Sequence, residues 1–160
     1  MHARYLDGIS IRTLRNGDTE TISTVFERLS DESRRQRFGG PKPRLSADEL
    51  AVLARVDSTH HVLVAYVDGD REPAGIARLV RVGRRSAEVA FAVADEHQRR
   101  GVGSALARVL AADARAAGIA ELEATVTGSH RAIGSLLSRS ARRVQSTWHA
   151  GECRVVAALD

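Results

Sequence analysis

The pattern of apolar and polar positions divides the chain into alternating and helical stretches. Residues 9–15, "ISIRTLR", alternate and predict a strand closed by the turn residues Asn16 and Gly17. Asp18 is placed to cap a helix with Ile22, Val25, Phe26 and Leu29 on one face. The polar run "SDESRRQRFGGPKPR" (30–44) predicts a short helix followed by a Gly/Pro loop. Ser46, with Glu49 three residues on, has the capping-box pattern and opens a helix carrying Leu50, Leu53 and Val56. Residues 60–82, "HHVLVAYVDGDREPAGIARLVRV", predict a hairpin with a short Asp-Gly turn region, and "SAEVAFAVA" (86–94) a further strand.

Beyond a glycine-rich junction, Val102, Leu106, Val109 and Leu110 recur at helical spacing until Gly118. "AELEATV" (120–126) predicts a strand, and Ser129 a helix start leading to Ile133, Leu136 and Leu137. "TWHAG" and "CRVVAAL" predict a closing antiparallel pair. The expected fold class is α/β: a mixed central sheet of about seven strands with about four helices packed on it. With 160 residues, a single domain over 1–160 is expected.

Charge adds a partner class to this picture. There are 24 Lys and Arg against 20 Asp and Glu, a net charge of +4, which favours an anionic partner. Lys42 is the one lysine among them, so arginine is a habit of the whole chain and each arginine carries less individual weight. Nucleic acid is disfavoured, because the arginines are scattered and aromatic residues, at 4%, offer few platforms for base stacking. A single cysteine, Cys153, excludes an internal disulfide and a cysteine-based zinc cluster, and reads as a small buried hydrophobe. No apolar run approaches the roughly 18 residues that span a bilayer, and "MHARYLDGIS" lacks a signal-peptide core. A cytoplasmic monomer or homodimer without membrane contact is expected.

The junction "QRRGVGS" (98–104) carries the candidate chemistry. A helix start exposes unpaired N–H groups and a partial positive charge. Gly101 and Gly103 lack Cβ atoms, so an anion can approach the backbone, and Arg99 and Arg100 add permanent charge. A pyrophosphate suits this arrangement. A dinucleotide fingerprint fails because the third glycine position is Leu106, and a P-loop fails because no Gly-Lys-Ser/Thr follows.

Gln98-Arg99-Arg100-Gly101-Val102-Gly103 resembles the Q/R-x-x-G-x-G/A signature of the GNAT superfamily of acetyl-CoA-dependent N-acetyltransferases, and the order of elements from Ile9 to Leu159 is similar to that fold. The resemblance implies that acetyl-CoA lays its pyrophosphate on the backbone of Gln98, Arg99, Arg100, Gly101, Val102, Gly103 and Ser104. It also implies that the pantetheine arm runs beside Phe91, Ala92 and Val93. Phe26 to Phe38 and Ala87 to Ser104 are further similar to the acetyltransferase domains of bacterial protein-lysine acetyltransferases; relatives with other amine substrates share these stretches.

Attack on a thioester requires a neutral amine, whereas an alkylamine is mostly ammonium at neutral pH. Glu88 is the candidate general base: it shares a strand face with the small Ala90 and Ala92, and the resemblance places a catalytic glutamate there. The competing reading is a strand-end carboxylate paired with Arg84 or Arg85. Glu121 and Glu123 read as structural or salt-bridging, and His60 and His61 as ordinary partly exposed histidines, so no metal site is expected. Three departures stand out. Where many GNAT proteins have an Asn and, seven residues later, a proton-donating Tyr, this chain has His130 and Leu137, and the usual Gly-aromatic pair is Ala141 and Arg142.

The implied function is transfer of acetyl from acetyl-CoA to a primary amine, with a protein lysine as first choice, by direct attack in a ternary complex. A small-molecule amine N-acetyltransferase and a non-catalytic acyl-CoA-binding module are the alternatives. Positive charge in "RRQRFGGPKPR" favours an acceptor carrying acidic groups.

Overall fold

Strand alternation sends every second residue to the same face of the sheet, and two separate sets of helices cover the two faces. The structure, a computed structural model, describes residues 3–127 and 131–160. In chain order the elements are β1 (Arg4–Leu6), β2 (Ile9–Thr13), α1 (Thr19–Glu27), α2 (Asp31–Phe38), α3 (Ala47–Leu53), β3 (His60–Val67), β4 (Gly75–Arg81) and β5 (Ser86–Val93). A 3-10 turn (Asp95–His97) then leads to α4 (Val102–Ala116), β6 (Glu121–Thr127), α5 (Arg131–Ser138), β7 (Arg143–His149) and β8 (Glu152–Ala158).

The eight strands form one sheet in the order β1-β2-β3-β4-β5-β6-β8-β7. Every neighbouring pair is antiparallel except β5 and β6, which are joined by the crossover helix α4. The sheet is therefore mixed and α/β, with one strand and one helix more than expected. The additional strand is β1, which folds back on β2 through a two-residue turn at Asp7 (φ 46°) and Gly8 (φ 82°). The link between β3 and β4, residues 68–74, is longer than a tight Asp-Gly turn. Among the described residues no helix is long and apolar enough to cross a membrane.

Local chemistry starts the helices where expected. Asp18 accepts the Thr21 N–H at 3.1 Å, Ser30 caps α2, and Ser46 with Glu49 completes a reciprocal capping box at α3. Gly118, at φ 79°, follows the end of α4. The predicted start of the last helix at Ser129 lies outside the described residues.

One face of the sheet packs Ile11, Leu63, Leu79, Ala87 and Val89 against Val102, Leu106, Val109 and Leu110 of α4. Burying a leucine such as Leu106 or Leu110 contributes about 1.5–3 kcal/mol. Cys153 belongs to this core, as the small hydrophobe it was expected to be. The other face carries Val62, Val64 and Ile76 beneath α1 and α3.

A polar hub pins the segment before α4. Arg28, at the end of α1, donates from Nε to Glu96 at 3.0 Å, from Nη1 to the Pro73 carbonyl at 3.0 Å and from Nη2 to Asp70 at 2.6 Å. His97 Nε2 lies 2.8 Å from the same Asp70 carboxylate, and the Ser30 N–H donates to Asp95 at 2.8 Å. Asp70, Glu96 and His97 have the spacing of a metal-binding group, but the Arg28 guanidinium sits on both carboxylates and supplies the cation itself.

The Arg28 side chain, then the Glu72 N–H and then His97 hold the Asp70 carboxyl well below the usual carboxylate range. A depressed folded-state value stabilises the protein above the unfolded value near 3.9 and is lost as pH falls below it. We expect unfolding stability measured by urea denaturation to decline from about pH 4 downward, and Asp70→Asn to flatten that decline. Arg28→Ala should cost about 1–2 kcal/mol at pH 7, the pair being partly solvent-screened.

Candidate active site

The functional geometry begins where two neighbouring strands stop pairing. β5 and β6 are in register at Ser86↔Glu121, Ala87↔Leu122 and Glu88↔Glu123, and at no later position. β5 continues along β4 to Val93, and β6 continues along β8 to Thr127. Each strand keeps its outer partner while the inner edges diverge, leaving a wedge in the middle of the sheet.

Backbone alternation decides which groups face the wedge. The Ala94 N–H donates to Ala74 on the β4 side, and the Arg85 carbonyl accepts from Ala120 and Glu121 on the β6 side. In an antiparallel ladder the direction reverses at each residue, so Phe91 and Val93 point their N–H and C=O groups into the wedge. Ala92, opposite Ile76, points its backbone toward β4 instead. Of the three strand residues expected beside a pantetheine arm, two thus present their main chain to the wedge, while Ala92 lines the α1-covered face with its side chain.

The wedge opens toward the start of α4. Arg99 has φ 62° and Gly101 φ 88°, so the chain makes two left-handed steps before entering the helix. The helix N-cap, Gly101, makes no side-chain capping bond, and the first N–H to find a carbonyl is that of Ala105, which donates to Gly101 at 2.9 Å. Residues 99–104 therefore present consecutive N–H groups at a helix start, an anion cradle. Arg99, Arg100 and Gly101 are exposed, while Val102 is buried against the sheet, so Val102 anchors the loop through its side chain.

The two glycines serve different purposes. Gly101 is needed for its backbone angle, since a Cβ there would meet nothing within 4 Å. At Gly103 a Cβ would come within 3.1 Å of Leu136, so this glycine also lets α5 approach α4. Gln98 is a support as well: its amide donates to the Val93 carbonyl at 3.0 Å and to Ser33 at 3.1 Å, tying the end of β5 to α2.

Glu88 lies at the narrow end of the wedge, where β5 and β6 part, exposed, in a cavity of about 210 Å³ that also reaches Glu123, Thr125, Arg37 and Arg78. Among the described residues its expected alternatives, Arg84 and Arg85, do not pair with it; Arg85 bonds Asp160, and Arg78 is the cation on which the Glu88 charge acts. Glu123, in register with Glu88, is engaged by Arg154 Nη2 at 2.6 Å, which is a salt-bridging role. Glu121 lies on β6 at the closed end of the wedge.

A second cavity, of about 150 Å³, continues from Val89 and Phe91 to Ile133 and Leu136 on α5. Leu137, at the position where a tyrosine would donate a proton, is 2% exposed and belongs to the core. His130 lies outside the described residues. Ala141 packs against the core and Arg142 is exposed.

A depression of about 500 Å³ lies at the opposite end of the sheet. There His60 pairs with Asp57 and His61 with Asp113, each at 2.8 Å. Both histidines are partly buried and engaged by carboxylates, away from the wedge.

The divergent parallel pair thus leads to an N–H cradle at the following helix, and comparison with known proteins gives this fold a family. Residues 25–136 match the model of the acetyltransferase (GNAT) family. The chain belongs to this family. It is 31% identical over 132 residues to the acetyltransferase Pat of Mycolicibacterium smegmatis, covering 81% of this chain and 39% of that protein. It is 30% identical over 132 residues to an acetyltransferase of Pseudomonas aeruginosa, covering 80% and 71%. The GNAT domain of S. lividans PAT superposes with a TM-score of 0.82 at 31% identity, covering 94% of this chain and 90% of that one. This chain thus spans about two fifths of the mycobacterial relative's length. GNAT proteins are acetyltransferases that use acetyl-CoA.

The packing of Gly103 against Leu136 has a measurable consequence. Gly103→Ala should destabilise the protein by about 1 kcal/mol through overpacking. The double variant Gly103→Ala, Leu136→Ala should cost less than the sum of the two single changes in urea denaturation, whereas strict additivity would mean the contact is loose.

Proposed function

We propose that this GNAT protein transfers the acetyl group of acetyl-CoA to a primary amine, by direct attack within a ternary complex, and that a protein lysine side chain is the acceptor. The observation that carries the reading is Glu88, at the narrow end of the wedge, on the strand whose open edge leads from there to the N–H cradle.

The residues fit acetyl-CoA. The N–H groups of residues 99–104, with Arg99 and Arg100 beside them, are placed to hold its pyrophosphate. The open edge at Phe91 and the Val93 N–H suit the amides of the pantetheine arm, which would complete the interrupted ladder as an added strand. Five steps of extended chain lead from Glu88 to Val93, about 17 Å at strand rise, so the thioester end would lie near Glu88 when the phosphates rest on the loop. Bound acetyl-CoA supplies an activated acyl group.

Glu88 then acts on the acceptor. As a carboxylate open to solvent it takes a proton from the incoming ammonium, directly or through one water, and leaves the free amine to attack. α5 offers aliphatic side chains, Ile133 and Leu136, to the wedge. Protonation of the departing thiolate therefore falls to water, which is adequate because a thiolate is a good leaving group with a parent thiol pKa near 8.5.

The similarity of Phe26 to Phe38 and Ala87 to Ser104 to the acetyltransferase domains of bacterial protein-lysine acetyltransferases supports the protein-acceptor reading. Glu88→Gln preserves shape and removes basicity. We expect turnover at pH 7 to fall by about 10²–10⁴, with acetyl-CoA affinity by calorimetry changed only a few fold. The deficit should shrink at high pH, where the acceptor is already neutral. Nearly full activity of Glu88→Gln at pH 7 would remove the role from this residue.

A further inference from the structure

Two guanidinium groups face Glu88 without an acidic partner of their own. Arg78 lies on β4 directly across from Ala90 and one step diagonal to Glu88, on the same face of the sheet. Its Nε is buried with no hydrogen-bond partner, and its Nη2 reaches only the Val52 carbonyl, at 3.5 Å. Arg37 descends onto the same cavity from α2 and rests against the Phe38 ring at 4.7 Å. Among the described residues neither forms a salt bridge.

Their surroundings work against them. Burial and then the charge of Arg78 push the Arg37 guanidinium down to about 10, and burial lowers Arg78, offset in part by Glu88. Folding thus brings two cations together in a half-buried cavity, and an unpaired buried charge is costly. Glu123 does not relieve it, because Arg154 already holds that carboxylate. Perturbed ionisable groups in a cleft cluster at functional sites.

The donor does not supply the missing anion. Its phosphates are assigned to residues 99–104, beyond the far end of β5, and the pantetheine arm between is uncharged. Resting on the proposed transfer reaction, we infer that Arg37 and Arg78 form a carboxylate subsite, so that the preferred acceptor is an amine whose own molecule carries a carboxylate able to reach the two guanidinium groups while its nitrogen is at Glu88. A planar carboxylate matches the fork of a guanidinium, and its charge neutralises the pair when the acceptor binds. Glu88 on one side and the two arginines on the other then orient the acceptor with its ammonium toward the base. A free amino acid and a lysine flanked by acidic residues both offer this chemistry.

Matched acceptors separate the sources: leucine against 3-methylbutylamine, and end-blocked Glu-Lys-Glu against Gln-Lys-Gln peptides. The carboxylate member of at least one pair should show a KM about 10- to 100-fold lower. Preference within the first pair assigns a small-molecule acceptor, and within the second a protein lysine. Arg37→Met and Arg78→Met should erase the preference by raising KM for the acidic acceptor at least about 10-fold more than for the neutral one. Both variants should be at least as stable as the parent in urea, because each removes a like-charge repulsion. Equal KM values within both pairs would overturn the inference, as would an equal fall in kcat for every amine, which would mean that the arginines serve the reaction rather than recognition. If no amine is acetylated, NMR titration of the CoA-loaded protein with leucine and the acidic peptide decides separately. Binding lost in Arg37→Met keeps the subsite while the transfer reading falls, and no binding removes both.

Discussion

The limit of three register pairs between β5 and β6 organises the molecule. A sheet normally satisfies both edges of every inner strand, and an open inner edge leaves N–H and C=O groups without partners. The crossover through α4 makes β5 and β6 parallel, and β4 and β8 hold their outer edges as the inner ones diverge. The result is a slot whose walls are main chain, closed by Glu88 and Glu123 at one end and leading to the start of α4 at the other. The hub on Arg28 and the bridge from Gln98 fix the segment between slot and helix, so the N–H groups of residues 99–104 stay aligned with it.

Charge is distributed along the slot in a way that separates tasks. Exposed Arg99 and Arg100 flank the helix start, where a phosphate is met in water. Half-buried Arg37 and Arg78 flank Glu88, where solvent screens less and each unpaired charge matters more. In a chain where nearly every basic residue is arginine, it is environment rather than residue type that distinguishes these two pairs.

That distinction also explains what was legible in the sequence. The caps at Asp18 and Ser46 and the cradle at Gly101 are local, depending on neighbours within a few residues, and the structure has them where expected. β1 escaped because three residues are too few to show alternation, although Asp7-Gly8 is itself a strong hairpin signal. Arg78 escaped for a different reason. On an alternating strand an arginine reads as the solvent side, and only the covering of that face by α1 and α2 buries it. Likewise, Leu137 reads as a lost proton donor, but its place in the core shows a residue committed to packing. Gly103 looked like room for an anion and proves also to be room for Leu136.

Residue-resolved amide hydrogen exchange with and without CoA tests the central claim, that the slot between β5 and β6 receives the donor. The account predicts slower exchange at residues 99–104 and at Phe91 and Val93 when CoA is present, with the carboxyl-terminal half of α4 and the depression around His60 and His61 unchanged. Protection centred on His60 and His61, or no protection at Phe91 and Val93 under saturating CoA, would contradict it.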